Sequence, residues 1–347
     1  MAVKVLEKEN IEGLLAHLSD SHRVFGPVAR RGYVSFQEVS SADELKLDYV
    51  TTTLPPKKLF HRSETLIRYE ADGEFSSPKP EPDTPILLFG VHPCDLNAIL
   101  RQDKLFSEDF RDEYYLRRRE NSVIVALNCT DPGENCFCAS LGTGPSVKEG
   151  FDLILTEIGG KYLVEVGSPK GGKILEKTAL DEASRNDVKK KAASVERAST
   201  QFVKSIKMEG LADLVEKNLE HEVWTLIGEK GGLAGCFSCL SCGSCSLVCP
   251  TCYCYEVADI QDLDLKGGVR RREVDSCQLN EYALVALNHN FRPDRKNRIR
   301  HWMMCKFGAA AGGLNSSCVG CGRCIKDCPA HIDLTEVARS LWGERDG

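Results

Sequence analysis

A chain of 347 residues that is 42% hydrophobic and 28% charged has an ordinary globular composition, about two domains' worth, and this excludes a mainly disordered protein. Its 45 Lys and Arg against 51 Asp and Glu leave a net charge of −6, which argues against a general nucleic-acid binder. Seventeen cysteines, an odd number in a chain long enough to bury a core without staples, point away from a secreted disulfide scaffold and towards thiolates that hold metal in a reducing cytoplasm.

In chain order, the opening MAVKVLEKEN shows no apolar stretch of a signal peptide, and no run approaches the ~18–20 apolar residues of a membrane span, so a cytoplasmic protein is expected. Ser77–Thr84 (SPKPEPDT) reads as a Pro-rich surface loop. The apolar run Ile86–Val91 predicts a buried strand. Asp95–Lys104, with Leu96, Ile99 and Leu100 on one face, predicts a helix, and Val123–Leu127 predicts a second buried strand. Strand, helix, strand makes a βαβ unit with parallel strands. Leu153–Glu157 and Lys161–Val166, separated by a turn with Gly159 and Gly160, predict a hairpin. Residues 179–220 carry the Lys, Glu and Ala pattern of one or two exposed helices. Gly231, Gly232 and Gly235 suggest a hinge, because a phosphate loop would end in Lys-Ser/Thr. Trp224 and Trp302 read as core or interface anchors. The expected fold is an α/β (α+β) N-terminal domain over 1–178, a helical connector over 179–230, and a ferredoxin-like dicluster module over 231–347 with an insertion at 250–317.

The cysteines carry the chemistry. Cys239, Cys242, Cys245 and Cys249 follow C-x2-C-x2-C-x3-C and precede Pro250; Cys318, Cys321, Cys324 and Cys328 repeat the spacing before Pro329. In this bacterial ferredoxin run three thiolates wrap one face of a cubane, and the fourth ligates the other cluster. Crossed ligation of two 4Fe–4S clusters is therefore predicted, one by Cys239, Cys242, Cys245 and Cys328, the other by Cys318, Cys321, Cys324 and Cys249. Structural zinc also uses paired C-x2-C, but with a longer spacer between pairs rather than two runs each closed by Cys-Pro. Gly243, Gly320 and Gly322 are expected to leave room for the backbone at the clusters. Arg323 and Lys326, inside the second run, are either cations that raise its potential or solvated surface charges.

A third metal centre is expected in the N-terminal domain. Cys94 follows the first predicted strand and Cys129 the second, so both fall at the carboxyl edge of the sheet, where α/β folds bind ligands. Cys136 and Cys138 lie in the next loop. Four thiols can converge there on a 4Fe–4S cluster or on zinc; the alternative is that they pack as small hydrophobes. Cys252, Cys254 and Cys277 form an incomplete set and are read as core or sensitive thiols, while Cys236 and Cys305 receive no role. His92 is near Cys94, but one histidine does not make a Rieske pair. The basic stretches Arg117–Arg119 and Arg292–His301 are either solvated or a docking face for an acidic partner. No G-x-G-x-x-G follows a predicted strand, so nicotinamide or flavin binding by this chain is unsupported.

The motifs GVHPCDL (90–96), YYLRR (114–118), Asn128-Cys129, CFCAS (136–140), GTGP (142–145), CPTCYC (249–254) and CVGCGRCIKDCP (318–329) stand in one order. That order resembles the iron–sulfur β subunit of soluble sulfhydrogenases and the corresponding iron–sulfur subunit of anaerobic sulfite reductases, over roughly residues 1–340. Similar subunits accompany flavin oxidoreductases coupled to heterodisulfide reductases. The resemblance implies a non-catalytic electron-transfer subunit of an oxidoreductase complex. Its implied partners are a flavoprotein that handles NAD(P)H and a terminal hydrogenase, sulfite reductase or heterodisulfide reductase subunit, with no nucleic acid and no membrane span. At 274 this chain has Val where that pattern often has an aromatic. The competing readings are a self-sufficient redox enzyme with a catalytic N-terminal cluster and a zinc-stabilised scaffold.

Overall fold

The computed structural model describes residues 3–78, 84–108, 111–178, 180–228, 237–308 and 316–343. The suggested hinge at Gly231, Gly232 and Gly235, Cys236, and the centre of the Pro-rich loop lie outside the described residues. The chain opens with β1 (Val3–Glu7), α1 (Ile11–Ser19), β2 (Arg23–Arg30), β3 (Tyr33–Glu38), β4 (Glu64–Glu70), β5 (Phe75–Ser76) and β6 (Ile86–Val91). Then come α2 (Pro93–Ser107), α3 (Glu113–Glu120), β7 (Val123–Leu127), β8 (Leu153–Glu157), β9 (Lys161–Val166), α4 (Pro169–Glu176) and β10 (Asp181–Glu182). The second half holds α5 (Arg185–Ser199), α6 (Leu211–Lys217), α7 (Glu222–Gly228), α8 (Ser244–Leu247), β11 (Tyr255–Gln261) and β12 (Gly267–Val274). It ends with β13 (Leu284–Val285), β14 (His289–Asn290), α9 (Arg295–Phe307), α10 (Arg323–Lys326) and α11 (Leu334–Leu341).

An eight-stranded mixed sheet in the order β10-β1-β9-β8-β7-β6-β2-β3 forms the N-terminal domain. Its centre is parallel: β2 pairs with β6, β6 with β7 and β7 with β8. Every residue of β6 and β7 is buried, because helices cover both faces, and this explains their unbroken apolar sequences. Alternate residues serve opposite cores. Leu87, Phe89, Val123 and Val125 pack with Leu14 and Leu18 of α1, whereas Leu88, Ile124 and Ala126 pack with Leu96, Ile99 and Tyr115 of α2 and α3. The expected hairpin is β8–β9, antiparallel, and the stretch after 179 holds the two helices α5 and α6. Ser184 and Asp187 start α5 with a reciprocal capping box.

The C-terminal part does not hang free on a connector. Strands β11 and β12, within residues 250–317, join β4 and β5 in one antiparallel sheet ordered β11-β12-β4-β5. α6 and α7 pack on α9 around Trp224, Trp302, Met303 and Phe307, all buried, as the reading of the tryptophans as anchors anticipates. No helix among the described residues is long and apolar enough to cross a membrane.

Candidate metal centres

The two ferredoxin-type runs fold alike because each turns on a glycine. Gly243 (φ +76°) and Gly322 (φ +74°) cap the one-turn helices α8 and α10 in a left-handed conformation that costs other residues strain. The turn places Cys245 and Cys324 within these helices and Cys249 and Cys328 just past their ends. α8 packs on α10, and Ser244 Oγ donates to the Asp327 carbonyl at 3.1 Å. This contact brings the ends of the two runs together, and Cys249 also neighbours Cys245. Cys328 comes beside Cys239 and Cys245, while Cys249 comes beside Cys318, Cys321 and Cys324.

The surroundings of these thiols suit sulfur-ligated iron. Backbone N–H groups donate to sulfur from Ser241 to Cys239 (3.3 Å), from Gly320 to Cys318 (3.3 Å) and from Ile332 to Cys328 (3.4 Å). The cavity between Cys239, Cys242, Cys245 and Cys328 is walled by Ile299 and Trp302 and is almost wholly apolar. Burial pushes the Cys318 thiol up to about 12 and raises Cys245 and Cys324 as well, so thiolates persist there only with a cation to hold them. Among the described residues, no group of three or more Cys, His, Asp or Glu is gathered for a single metal ion. Cys242 alone among the run cysteines is exposed.

The N-terminal cysteines lie at one edge of the sheet, as the parallel strands require. Pro93 opens α2 at its first turn and sets Cys94 just beyond β6; Cys129 follows β7 by two residues. The loop after it carries Cys136 and Cys138 back over the same edge. Cys94 lies beside Cys138, and Cys138 beside Cys136 and Cys129. Burial pushes Cys136 up to about 12 and raises the other three. The sulfur of Cys321 is also a neighbour of Cys94, Cys136 and Cys138, so this quartet adjoins the second ferredoxin run.

The join between the two domains is tight. Phe137 N–H donates to the Gly320 carbonyl at 2.9 Å, Thr143 Oγ1 to that of Val319 at 2.8 Å, and Arg101 to that of Cys318. A Cβ on Gly320 would meet the Cys138 backbone nitrogen at 2.6 Å, and one on Gly322 would strike Asn135. The glycines make room for the N-terminal loop, a cause that the expectation about cluster space did not contain. Arg323 is not the solvated surface charge of one of the two readings given to it. It is buried and bound at both nitrogens to Asp95 (2.6 and 2.7 Å), and it donates to the Thr52 carbonyl at 2.6 Å. Lys326 is exposed.

The remaining candidates are mostly structural. Cys252 is in contact with Cys249, and Cys254 with Cys277 and Tyr282; Cys305 lies 3.6 Å from His301 Nε2. His92 stacks on Tyr49 at 4.0 Å and faces the Val50 carbonyl. The basic stretch at Arg117–Arg119 turns largely inward: Arg118 pairs with Glu64 and Arg119 with Asp103. In the other, Arg298 is buried against Ser241 and Asn280, and Arg295 donates to the Cys239 carbonyl. Sequence reasoning missed Asp95, Lys57 and Lys306. A charged residue in an otherwise apolar stretch was the available signal for Asp95, and none marked the lysines.

Residues 238–332 match the family model of the 4Fe–4S dicluster domain. The chain is 40% identical to sulfhydrogenase 2 subunit beta of Pyrococcus furiosus over 336 residues, 96% of each chain. No solved structure matches. Since that identity extends through the N-terminal sheet and both cysteine runs, the chain belongs to the sulfhydrogenase beta-subunit family.

Proposed function

We propose that this chain is the iron–sulfur electron-relay subunit of a cytoplasmic oxidoreductase complex, with two crossed 4Fe–4S clusters and a third at Cys94, Cys129, Cys136 and Cys138. The observation that carries this reading is an unbroken succession of sulfur neighbours. From exposed Cys242 it passes to Cys245, on to Cys324 and Cys321, and from there to Cys94, Cys136 and Cys138. Such clusters, when bound, accept and donate one electron at a time. The protein's part is to hold the ligands close and dry and to bring the two ends to the surface.

One end is Cys242, which shares the rim of its cavity with exposed Leu240. The other is Cys129, which opens on a cavity of about 250 Å³ lined also by His92, Asn128 and Asp131. Two ends suit two partners, a terminal hydrogenase subunit, as the relative's name suggests, and a flavoprotein that handles NAD(P)H. No disulfide joins the sixteen described cysteines, which suits a reducing compartment.

Anaerobic purification with metal analysis tests the reading. About twelve iron atoms per chain are expected for three cubanes, and Cys94→Ser should remove about four while sparing the rest. Cys328→Ala should abolish the signal of the cluster served by Cys239–Cys245. Loss only of the Cys318–Cys324 cluster would refute crossed ligation, and iron-free wild-type protein would refute the whole reading.

A further inference from the structure

Two lysines from opposite parts of the chain meet at Cys249. Lys57 lies in the 3-10 turn Pro56–Leu59 and Lys306 near the end of α9; they are 6% and 3% exposed. Lys57 Nζ donates to the Cys252 carbonyl at 2.5 Å, and Lys306 Nζ to Thr251 Oγ1 at 3.0 Å. Thr251 Oγ1 is itself 3.2 Å from Cys249 Sγ. Among the described residues the oxygen partners of both ammonium groups are neutral. Of the other buried cations, Arg118 has Glu64 and Arg323 has Asp95, whereas Arg298 is bound to neutral oxygens of Ser241, Asn280, Arg292 and Pro293.

A buried cation without an anion costs several kcal/mol, and two that face one site repel each other as well. What both lysines face is sulfur. Cys249, Cys252 and Cys318 surround Lys306, and Cys249, Cys252 and Cys254 surround Lys57. Negative charge gathered at Cys249 is what makes this arrangement tolerable. A cluster held there gains one further negative charge on reduction, so a fixed ammonium beside it stabilises the reduced form more than the oxidised one.

We propose that Lys57 and Lys306 set the potential of the middle cluster, the one assigned to Cys249, Cys318, Cys321 and Cys324, so that an electron entering from either end rests there. The transfer is of one electron from a reduced partner, with no bond made or broken. The proposal rests on the ligation given under Proposed function. It also gives the N-terminal domain an electrical role, because Lys57 reaches the cluster module from outside it.

The test is a redox titration followed by electron paramagnetic resonance on the full chain, purified anaerobically as wild type, Lys57→Met and Lys306→Met. Methionine keeps the apolar stem and fills the space of the lysine, and in each variant the other lysine still faces the sulfurs, so iron should be retained. The middle-cluster signal is identified as the one lost in Cys324→Ser. Each Met variant should lower its reduced-to-oxidised ratio at fixed potential about tenfold, 59 mV for one electron, and leave the other signals within about threefold. Lys306→Arg should restore it. If a Met variant fails to fold, Lys57→Gln and Lys306→Gln keep a hydrogen-bond donor without the charge and should show the same shift. An unmoved middle signal at full iron content overturns the proposal, as does equal displacement of every signal. Failure of the ligation reading registers separately, as missing iron in the wild type or survival of all signals in Cys324→Ser.

Discussion

His61 shows how a single side chain carries the cost of this interior. Its ring stacks on Tyr255 at 4.2 Å and lies beside Phe106, and its Nε2 has no hydrogen-bond partner among the described residues. Burial, reinforced by the Lys57 charge, pushes the imidazole down to about 3 from an ordinary 6.5. Between those values the unfolded chain binds a proton that the folded chain refuses. Stability is therefore complete above pH 6.5 and falls as the pH drops towards 3. At pH 5.5, one unit below the unfolded value, the loss is about 1.4 kcal/mol. His61→Phe should remove it: denaturant midpoints at pH 7.5 and 5.5 should differ by that much less in the variant than in the wild type. An identical difference would show that His61 is not held neutral. Arg323 teaches the complementary lesson about legibility. Its position inside a cluster run was plain from the sequence, but its partner, Asp95, stands 228 residues away. No local pattern distinguishes a paired buried cation from a solvated one.

Elements with strong periodicity were readable to the residue. β6, β7, β8 and β9 all have the bounds that their apolar runs suggest, because strands buried on both faces need uninterrupted Leu, Ile and Val. β11 and β12 were missed, since YEVADIQ and GGVRRREV are mostly exposed and are held by backbone pairing with β4 rather than by an apolar face. The cluster loops were readable as motifs and not as surfaces. Nothing in CVGCGRC tells that the loop around Phe137 will lie against it, yet the left-handed glycines there are fixed by that contact. Gly320→Ala is the direct check. The added methyl would meet the Cys138 backbone at 2.6–2.7 Å, where neither side can rotate away, at φ +61°. A loss of about 2–3 kcal/mol is expected, together with selective loss of about four iron atoms from the N-terminal quartet. Unchanged iron and unchanged denaturant midpoint would show that the two loops separate freely.

At the scale of the molecule, the N-terminal sheet and the cysteine-rich part are interlocked. The β4–β5 hairpin extends a sheet begun in the C-terminal half, and Lys57 enters the cluster module from the N-terminal half. The Asp95–Arg323 pair closes the third contact, with both side chains 1% exposed. Its stabilising value depends on which partner is removed. A buried ion pair repays its desolvation only while intact, so Asp95→Leu, which strands the Arg323 charge, should cost about 3–5 kcal/mol. Replacing both, Asp95→Leu with Arg323→Met, removes the charges together and should cost far less, within about 1–2 kcal/mol of wild type. The double-mutant cycle, measured by denaturant unfolding of the iron-loaded chain, should thus return a coupling of several kcal/mol between residues of different domains. Additive single effects would mean that Arg323 is satisfied by Thr52 alone and that the domains are joined elsewhere. A strong coupling would tie the N-terminal quartet to the second ferredoxin run as one rigid unit, the geometry that an electron relay needs to keep its distances fixed.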